Sequence, residues 1–250
     1  MPGGKTAAHR ELERRTLLWA QRHQWPFAAP EVSIPGGRFR IDVAAAKPGR
    51  ERRSYYCEQS KCHRKRSATV VGPTAIFECK ASRADFLKDA ADFRETLARL
   101  EKLAARRAMH ETWLKEREPQ LRMREGLFAE DDRLSQEAGS QYESLRLVLE
   151  ETAQLQRRLF GRTKFSRLRA MRFADFHYLV AMPGVVRPHE LPEGWGLLEA
   201  VENEDLELLV PADATAPPEE GRVILLQRIA LAGTRYVNRD YHIAPWEQPS

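Results

Sequence analysis

The fold is decided by the stretch Thr74-Ala75-Ile76-Phe77-Glu78-Cys79-Lys80-Ala81-Ser82. Its β-branched and aromatic residues favour an extended conformation, and a short apolar run of this kind predicts a buried strand. Because side chains alternate between the two faces of a strand, Glu78 and Lys80 share one face and Cys79 lies on the other. Burying an acid and an amine together costs free energy, so their presence at the end of an apolar strand indicates a common function. The stretch therefore indicates a metal site beside a lysine.

The elements around this strand can be predicted as well. Ser82-Arg83-Ala84-Asp85 has the pattern of a capping box, so a helix begins at Ser82. Upstream, two strands at 31–34 and 39–43 are joined at Pro35-Gly36-Gly37, which is a hairpin signal. Asp42 is expected late in the second of these strands. Its carboxylate lies beside Glu78 if the two strands are neighbours.

The pattern Asp42…Glu78-x-Lys80 resembles the catalytic signature of the PD-(D/E)XK nuclease superfamily. The phrases at 77–87, 176–186 and 191–198 are similar to its MmcB-like branch, which is associated with DNA repair. The resemblance covers roughly residues 9–94 and 171–210. It implies an α/β protein with a restriction-endonuclease-like mixed central sheet flanked by helices.

The resemblance also implies a site and a reaction, the hydrolysis of DNA phosphodiester bonds. Asp42, Glu78 and the Cys79 carbonyl would hold Mg²⁺ or Mn²⁺, which prefer such oxygen ligands. Lys80 would orient or help deprotonate the attacking water. Glu13, on a helix predicted over 9–23, would hold a second metal or a metal-bound water. Glu13 fits this role better than Glu11, and the plainer interpretation makes both of them solvated helix charges.

Other interpretations stay open at this stage. Glu78 and Lys80 alone could form an ordinary surface salt bridge, worth about 0–1 kcal/mol. A non-catalytic DNA-binding or scaffold protein could retain the nuclease fold, but the three intact residues Asp42, Glu78 and Lys80 favour an enzyme. A third hypothesis is a coiled-coil interaction protein that uses the core only as a platform.

Composition limits the class of protein. The chain has 250 residues, 41 lysines and arginines against 36 acidic residues, and a net charge of +5. Its mean hydropathy is −0.58. We expect a soluble protein without a membrane partner, and the N-terminus has no apolar signal-peptide core. Three cysteines indicate reduced thiols and a cytoplasmic location. The mild positive charge permits a nucleic-acid partner without requiring one.

The segment 44–71 is expected to be a long excursion between two strands of the sheet. It contains the basic run Arg64-Lys65-Arg66, expected in a mobile loop where it either touches DNA phosphates or is merely solvated. Cys57, Cys62 and His63 are a weak candidate for zinc, because their spacing departs from that of a zinc knuckle. The residues predicted to contact DNA are Arg64, Lys65, Arg66, Arg83, Arg162 and Lys164.

Two long helical patterns interrupt the chain, with a loop expected around 118–132. We predict four regions: the first part of a nuclease core over 1–94, a coiled-coil-like helical hairpin over 95–170, the second part of the core over 171–210, and a C-terminal extension over 211–250. The hairpin could clamp DNA, form a homodimer interface, or be plain structural elaboration.

Overall fold

Six strands form one sheet in a computed structural model that describes residues 6–35, 39–59, 61–88, 93–124, 132–161 and 163–243. The strands are β1 (Phe27–Ser33), β2 (Arg40–Cys57), β3 (Cys62–Lys80), β4 (Phe176–Ala181), β5 (Gly196–Ala200) and β6 (Leu206–Val210). The helices are α1 (Ala7–Arg22), α2 (Arg83–Lys88), α3 (Phe93–Arg124), α4 (Asp132–Phe160), α5 (Lys164–Ala170) and α6 (Glu219–Asp240). A 3₁₀ turn lies at Pro188–Glu190.

The sheet is mixed, and its strands follow the order β1-β2-β3-β4-β5-β6. β1, β2 and β3 pair antiparallel, β4 and β5 join them in parallel, and β6 returns antiparallel to β5. Parallel pairing of β3 with β4 requires a crossover, and helices α2 to α5 lie in that connection. The predicted mixed α/β class is confirmed. The finer restriction-endonuclease-like assignment stays a prediction.

One face of the sheet is covered by α1. Leu12, Trp19 and Ala20 of this helix join a core cluster with Val43, Phe77, Cys79, Tyr178 and Val180 of the strands. The Phe77 and Tyr178 rings stack with centroids 5.5 Å apart, and Trp19 meets Phe77 edge-on at 6.0 Å. Alternation along the strand therefore turns Glu78 and Lys80 to the opposite face, as predicted.

Helices α5 and α6 belong to the same compact unit as the sheet. Phe165 and Leu168 of α5 are buried, and Phe165 packs edge-to-face on Trp195 at 5.1 Å. α6 packs along β1, β2 and β3 through Leu225, Ile229 and Ala232. The sequence prediction left 211–250 as an unassigned extension. The strands that cover the apolar face of α6 lie far away in the chain, so the local pattern did not identify them.

An ion pair fixes the start of α6 to the sheet. Asp175, just before β4, accepts hydrogen bonds from the Thr74 backbone N–H and hydroxyl, both 2.9 Å long. It also receives the Arg222 guanidinium, with an Nη2–Oδ1 distance of 2.5 Å. The Arg222 pair and the Thr74 hydrogen bonds lower the pKa of Asp175, although burial alone raises it.

The second compact unit, residues 89–163, contains α3 and α4. Arg99 pairs with Glu151 at 2.7 Å and His110 with Gln141 at 2.5 Å, so the two helices run in opposite directions. The first unit contains 1–88 and 164–250. The predicted hairpin ran to 170 and included α5, whereas the compact unit ends at Thr163. α3 also continues through Pro119 to Arg124, beyond the loop expected from 118.

The excursion expected between β2 and β3 is instead a continuation of both strands. Their ladder runs without a loop from Pro48 opposite Val71 to Cys57 opposite Cys62, after an irregularity between Ala46 and Pro48. The prediction of a mobile loop was therefore wrong. The basic run Arg64-Lys65-Arg66 lies within β3. No described helix combines the length and the apolar character needed to cross a membrane.

Candidate active site

The start of β2 and the end of β3 meet at one edge of the sheet. Asp42 is the third residue of β2, not a late residue as predicted, because β2 extends much further than expected. Val43 lies opposite Phe77, which brings Asp42 next to the Glu78–Lys80 segment. The Cys79 backbone N–H donates a 2.9 Å hydrogen bond to Asp42 Oδ2. The two strands are therefore neighbours, as the candidate site requires.

Helix α1 adds two side chains to Asp42. His9 Nε2 lies 3.2 Å from Asp42 Oδ1 and 3.7 Å from Glu13 Oε1. His9 and Glu13 are one helical turn apart, so they share a face of α1. Ligand atoms of the three residues all lie within 4.8 Å of one another, the spacing of a metal-binding group. Glu11, by contrast, pairs with Arg14 and Arg15, both at 2.9 Å.

Charges within this group shift the pKa values of its members. The carboxylate of Asp42, and then that of Glu13, raise the pKa of His9 to about 9. Burial alone raises the pKa of Asp42, but the nearby His9 imidazolium brings it down to about 2. His9 is thus an imidazolium between two carboxylates at neutral pH. A charged imidazole has no free lone pair, so the oxygen atoms are the available metal ligands.

Glu78 lies in a second, more deeply buried contact. Only 2 % of its side chain is exposed, and Lys164 Nζ at the start of α5 donates to its Oε2 at 2.7 Å. The same ammonium donates to the Arg40 carbonyl at 2.7 Å. Burial raises the pKa of Glu78 to about 7 against the opposing charge of Lys164. Among the described residues, Glu78 Oε1 has no hydrogen-bond partner despite being buried.

Lys80 and Cys79 point in opposite directions, as the strand alternation predicts. Lys80 is 6 % exposed, and its Nζ lies 5.5 Å from the centroid of the Phe165 ring. The Cys79 thiol is buried in the core beneath α1, 3.8 Å from the Thr16 hydroxyl. Burial raises the pKa of this thiol well above its usual value, which suits a core residue and not a nucleophile.

The predicted metal ligands are thus brought to one edge but divided into two contacts. Glu13 and Asp42 meet around His9, whereas Glu78 is held by Lys164 and is not part of the three-residue group. Three carboxylates, Glu13, Asp42 and Glu78, are matched by three nitrogen bases, His9, Lys80 and Lys164. The sequence prediction omitted His9 and gave Lys164 to DNA. The four-residue spacing of His9 and Glu13 on one helix was a usable signal for His9, but nothing local marked Lys164.

The remaining predicted residues lie elsewhere. Arg83 is engaged within the fold, where it donates to both carboxylate oxygens of Glu190 and to the Val185 carbonyl at 3.0 Å. Arg162 lies outside the described residues. Cys57 and Cys62 lie opposite one another in the ladder and are not joined by a disulfide. Among the described residues they form no metal-binding group with His63.

The donor set fits a hard divalent cation. Glu13, Asp42 and Glu78 offer carboxylate oxygens, which suit Mg²⁺ or Mn²⁺. The partnerless Glu78 Oε1 is a buried acceptor whose desolvation is uncompensated, and a cation or a metal-bound water is the kind of partner that would satisfy it. The amine of Lys80 lies at the same edge and is only 6 % exposed.

Comparisons with known proteins add one similarity. No known protein family matches the sequence, and no curated protein does. Among solved structures, the chain is similar to the SPO1766 protein of unknown function from Silicibacter pomeroyi, with 14% sequence identity and a TM-score of 0.49. The alignment covers 98% of this chain and 100% of that one.

Proposed function

We propose that the protein is a divalent-metal-dependent nuclease that hydrolyses phosphodiester bonds in DNA, in repair or related processing. The observation that carries this proposal is the meeting of Asp42, Glu78 and Lys80 at one edge of a mixed sheet. It is supported by a carboxylate oxygen of Glu78 that is buried without a partner. The resemblance of Asp42…Glu78-x-Lys80 to the PD-(D/E)XK signature gives the reaction.

Each residue has a role that follows from its position. Asp42 and Glu78 would hold the metal, with the Cys79 carbonyl as a further oxygen ligand, and Glu13 would hold a second ion or a metal-bound water. When bound, the metal lowers the pKa of water and offsets charge on the phosphate. Lys80 is nearly buried and would supply an ammonium donor to the reacting phosphate and its water, where low polarity strengthens the interaction.

His9 and Lys164 balance the carboxylates before DNA or metal arrives. Clustered acids repel one another, and in a buried site this repulsion raises the pKa values of the acids. His9 offsets the repulsion at Asp42, and Lys164 offsets it at Glu78. This balance also favours the second candidate function, a non-catalytic DNA-binding scaffold, because the acids are already satisfied in part without a metal.

Substitution of the carboxylates tests the proposal. Asp42→Asn and Glu78→Gln should each lower Mg²⁺-dependent cleavage of plasmid DNA by on the order of 1000-fold, since several kcal/mol of metal stabilisation is lost. Glu13→Gln should cost about 10- to 100-fold. Glu11→Gln is the matched control, because Glu11 lies on the same helix but pairs outward with Arg14 and Arg15.

The readouts separate an enzyme from a scaffold. Mn²⁺ binding to each purified variant, followed by calorimetry, should weaken with Asp42→Asn and Glu78→Gln and not with Glu11→Gln. Thermal unfolding reports whether each variant is folded. Cleavage at the wild-type rate by folded Glu78→Gln would overturn the metal assignment. A wild-type protein that binds DNA but never cleaves it with Mg²⁺ or Mn²⁺ would be the scaffold.

A further inference from the structure

The outer part of the β2–β3 ladder is a basic two-stranded ribbon, called the arm here and made of residues 50–59 and 61–67. Residues 50–56 and 61–67 are exposed throughout, on both faces of the ribbon. A two-stranded ribbon without a covered face is only marginally stable in water. The arm therefore adds no core to the protein, and its length needs another explanation.

Charge is concentrated in the arm. It carries seven lysines and arginines against two glutamates, a net charge of +5, which equals the net charge of the whole chain. The rest of the protein is therefore neutral in sum. The seven cations are Arg50, Arg52, Arg53, Lys61, Arg64, Lys65 and Arg66.

These cations occupy both faces of the ribbon. Arg50 and Arg52 lie on one face together with Lys65, which is opposite Ser54. Arg53 and Arg66 are directly opposite one another on the other face, and like charges in such a pair destabilise a ladder. Among the described residues, no carboxylate lies within ion-pair distance of Arg52, Arg64, Lys65 or Arg66. Within the part of the chain that the structure describes, Arg53 is the arm cation that is paired, with Glu51 and Glu219, and both pairs are exposed.

We propose that the arm binds the phosphate backbone of duplex DNA by entering a groove. A two-stranded ribbon fits the major groove, and cations on both faces meet the phosphates of both groove walls. A flat anionic membrane would meet only one face. Duplex DNA carries about one phosphate per 1.7 Å, so it supplies the dense anionic charge that these arginines lack inside the protein. Arginine also suits phosphate through its planar, bidentate fork.

The arm and the proposed nuclease site lie on the same two strands, and this step rests on the proposed function. Asp42 and Arg52 are ten residues apart in β2. At about 3.4 Å per residue they are separated by at most about 34 Å, one turn of B-DNA. A duplex longer than one turn is therefore long enough to reach both ends, whereas a much shorter one offers fewer phosphates to the arm.

Salt dependence of binding is the first test. Affinity for a duplex of about 30 base pairs is measured in EDTA across about 50 to 200 mM salt. The arm variant R52Q/R64Q/K65Q/R66Q should make the slope of log affinity against log salt shallower by about 2 to 4, since each lost phosphate contact removes about 0.9. The matched control, R106Q/R107Q/R235Q/R239Q, changes net charge equally at other exposed positions and should shift the slope by less than about 1.

Duplex length sharpens the test. With a duplex of about 8 base pairs, less than one turn, the arm variant and wild type should show a much smaller difference in affinity than with the longer duplex. Equal slopes for wild type and the arm variant, or equal losses in the arm and control variants, would overturn the proposal. Tighter binding of a 30-residue single strand than of the duplex would also overturn it, in favour of single-strand recognition at the exposed Tyr55 and Tyr56.

The arm tip offers an independent readout. Cys62 is exposed and Cys79 is fully buried, so a Cys57→Ser variant has one readily alkylated thiol. Saturating duplex DNA should slow alkylation of Cys62 several-fold, and an unchanged rate would place the tip away from DNA and contradict the proposal. Because these measurements are made without metal, they separate the arm from the nuclease. Cleavage with an unchanged slope rejects only the arm, and arm-dependent binding without cleavage rejects only the nuclease.

Discussion

The two ends of the β2–β3 ladder treat charge differently. At the site end the charged side chains are buried and paired with opposite charges, whereas in the arm they are exposed and most have no such pair. Asp42 and Glu78 are matched by His9 and Lys164 within about one hydrogen-bond length. Arg64, Lys65 and Arg66 have no such partners among the described residues. Buried charges must be compensated inside the protein because their desolvation is costly, whereas exposed charges are solvated and remain available to an external partner.

The largest effect on stability should come from breaking the buried pair. Lys164→Met should lower the free energy of unfolding at pH 8 by about 2 to 4 kcal/mol, because the Glu78 carboxylate would be left buried without its cation. Chemical denaturation measures the change. Arg53→Met is the matched control, since it breaks an exposed pair on the same ladder and should leave the free energy of unfolding unchanged within error.

A double substitution distinguishes a lost pair from a packing defect. Glu78→Gln/Lys164→Met should be more stable than Lys164→Met alone, because a neutral amide tolerates the missing cation better. If the double variant is no more stable than the single one, Lys164 acts through packing and the contrast between the two ends does not depend on charge.

The next effect is a pH dependence of the free energy of unfolding, caused by a buried histidine beside the site. His177 on β4 is fully buried next to Trp195, which in turn packs against Phe165. Burial, helped by the charge of Arg169, lowers the pKa of His177 to about 4. An unfolded chain binds this proton near pH 6.5. The folded state therefore loses up to about 3 kcal/mol as the pH falls from 6.5 to 4, because the unfolded state is protonated first.

His177→Leu should remove this loss of stability. The free energy of unfolding of the variant, relative to wild type, should therefore increase as the pH falls from 6.5 to 4. Comparison with wild type is essential, because Glu78, whose pKa is raised to about 7, contributes with the opposite sign in the same range. His63→Leu, at an exposed arm position, is the matched control and should follow the wild-type profile. Parallel stability curves for wild type and His177→Leu would show that His177 is not the titrating group.

The smallest effect on stability should come from removing the arm. Replacing 50–69 with Asn-Gly, a two-residue hairpin turn between Gly49 and Val70, should change the melting temperature by less than about 4 °C. The excised segment is exposed along nearly all of its length, so little apolar area is lost. Calorimetry measures the transition. Loss of cooperative unfolding would mean that the arm supports the sheet. The exposed end of the ladder would then contribute to stability, contrary to the comparison drawn above.

Much of the sheet could be predicted from local pattern. The strand before Lys80, the helix start after Ser82 and the neighbouring strand that carries Asp42 all follow from periodicity and capping, which act over a few residues. The continuation of both strands through 47–71 was missed, because this polar, arginine-rich segment lacks the alternation of apolar residues that predicts a strand. Pairing between the two segments holds it in an extended form.

By itself, then, the sequence determined the α/β class, the face shared by Glu78 and Lys80, and the core position of Cys79. Only the tertiary structure decided that His9 meets Asp42, that Lys164 neutralises Glu78, and that α6 packs along β1 to β3. The physical reason is distance along the chain. Backbone alternation and helix caps are local, whereas the partner of a buried charge is chosen by whichever side chain the whole fold brings within a few ångströms.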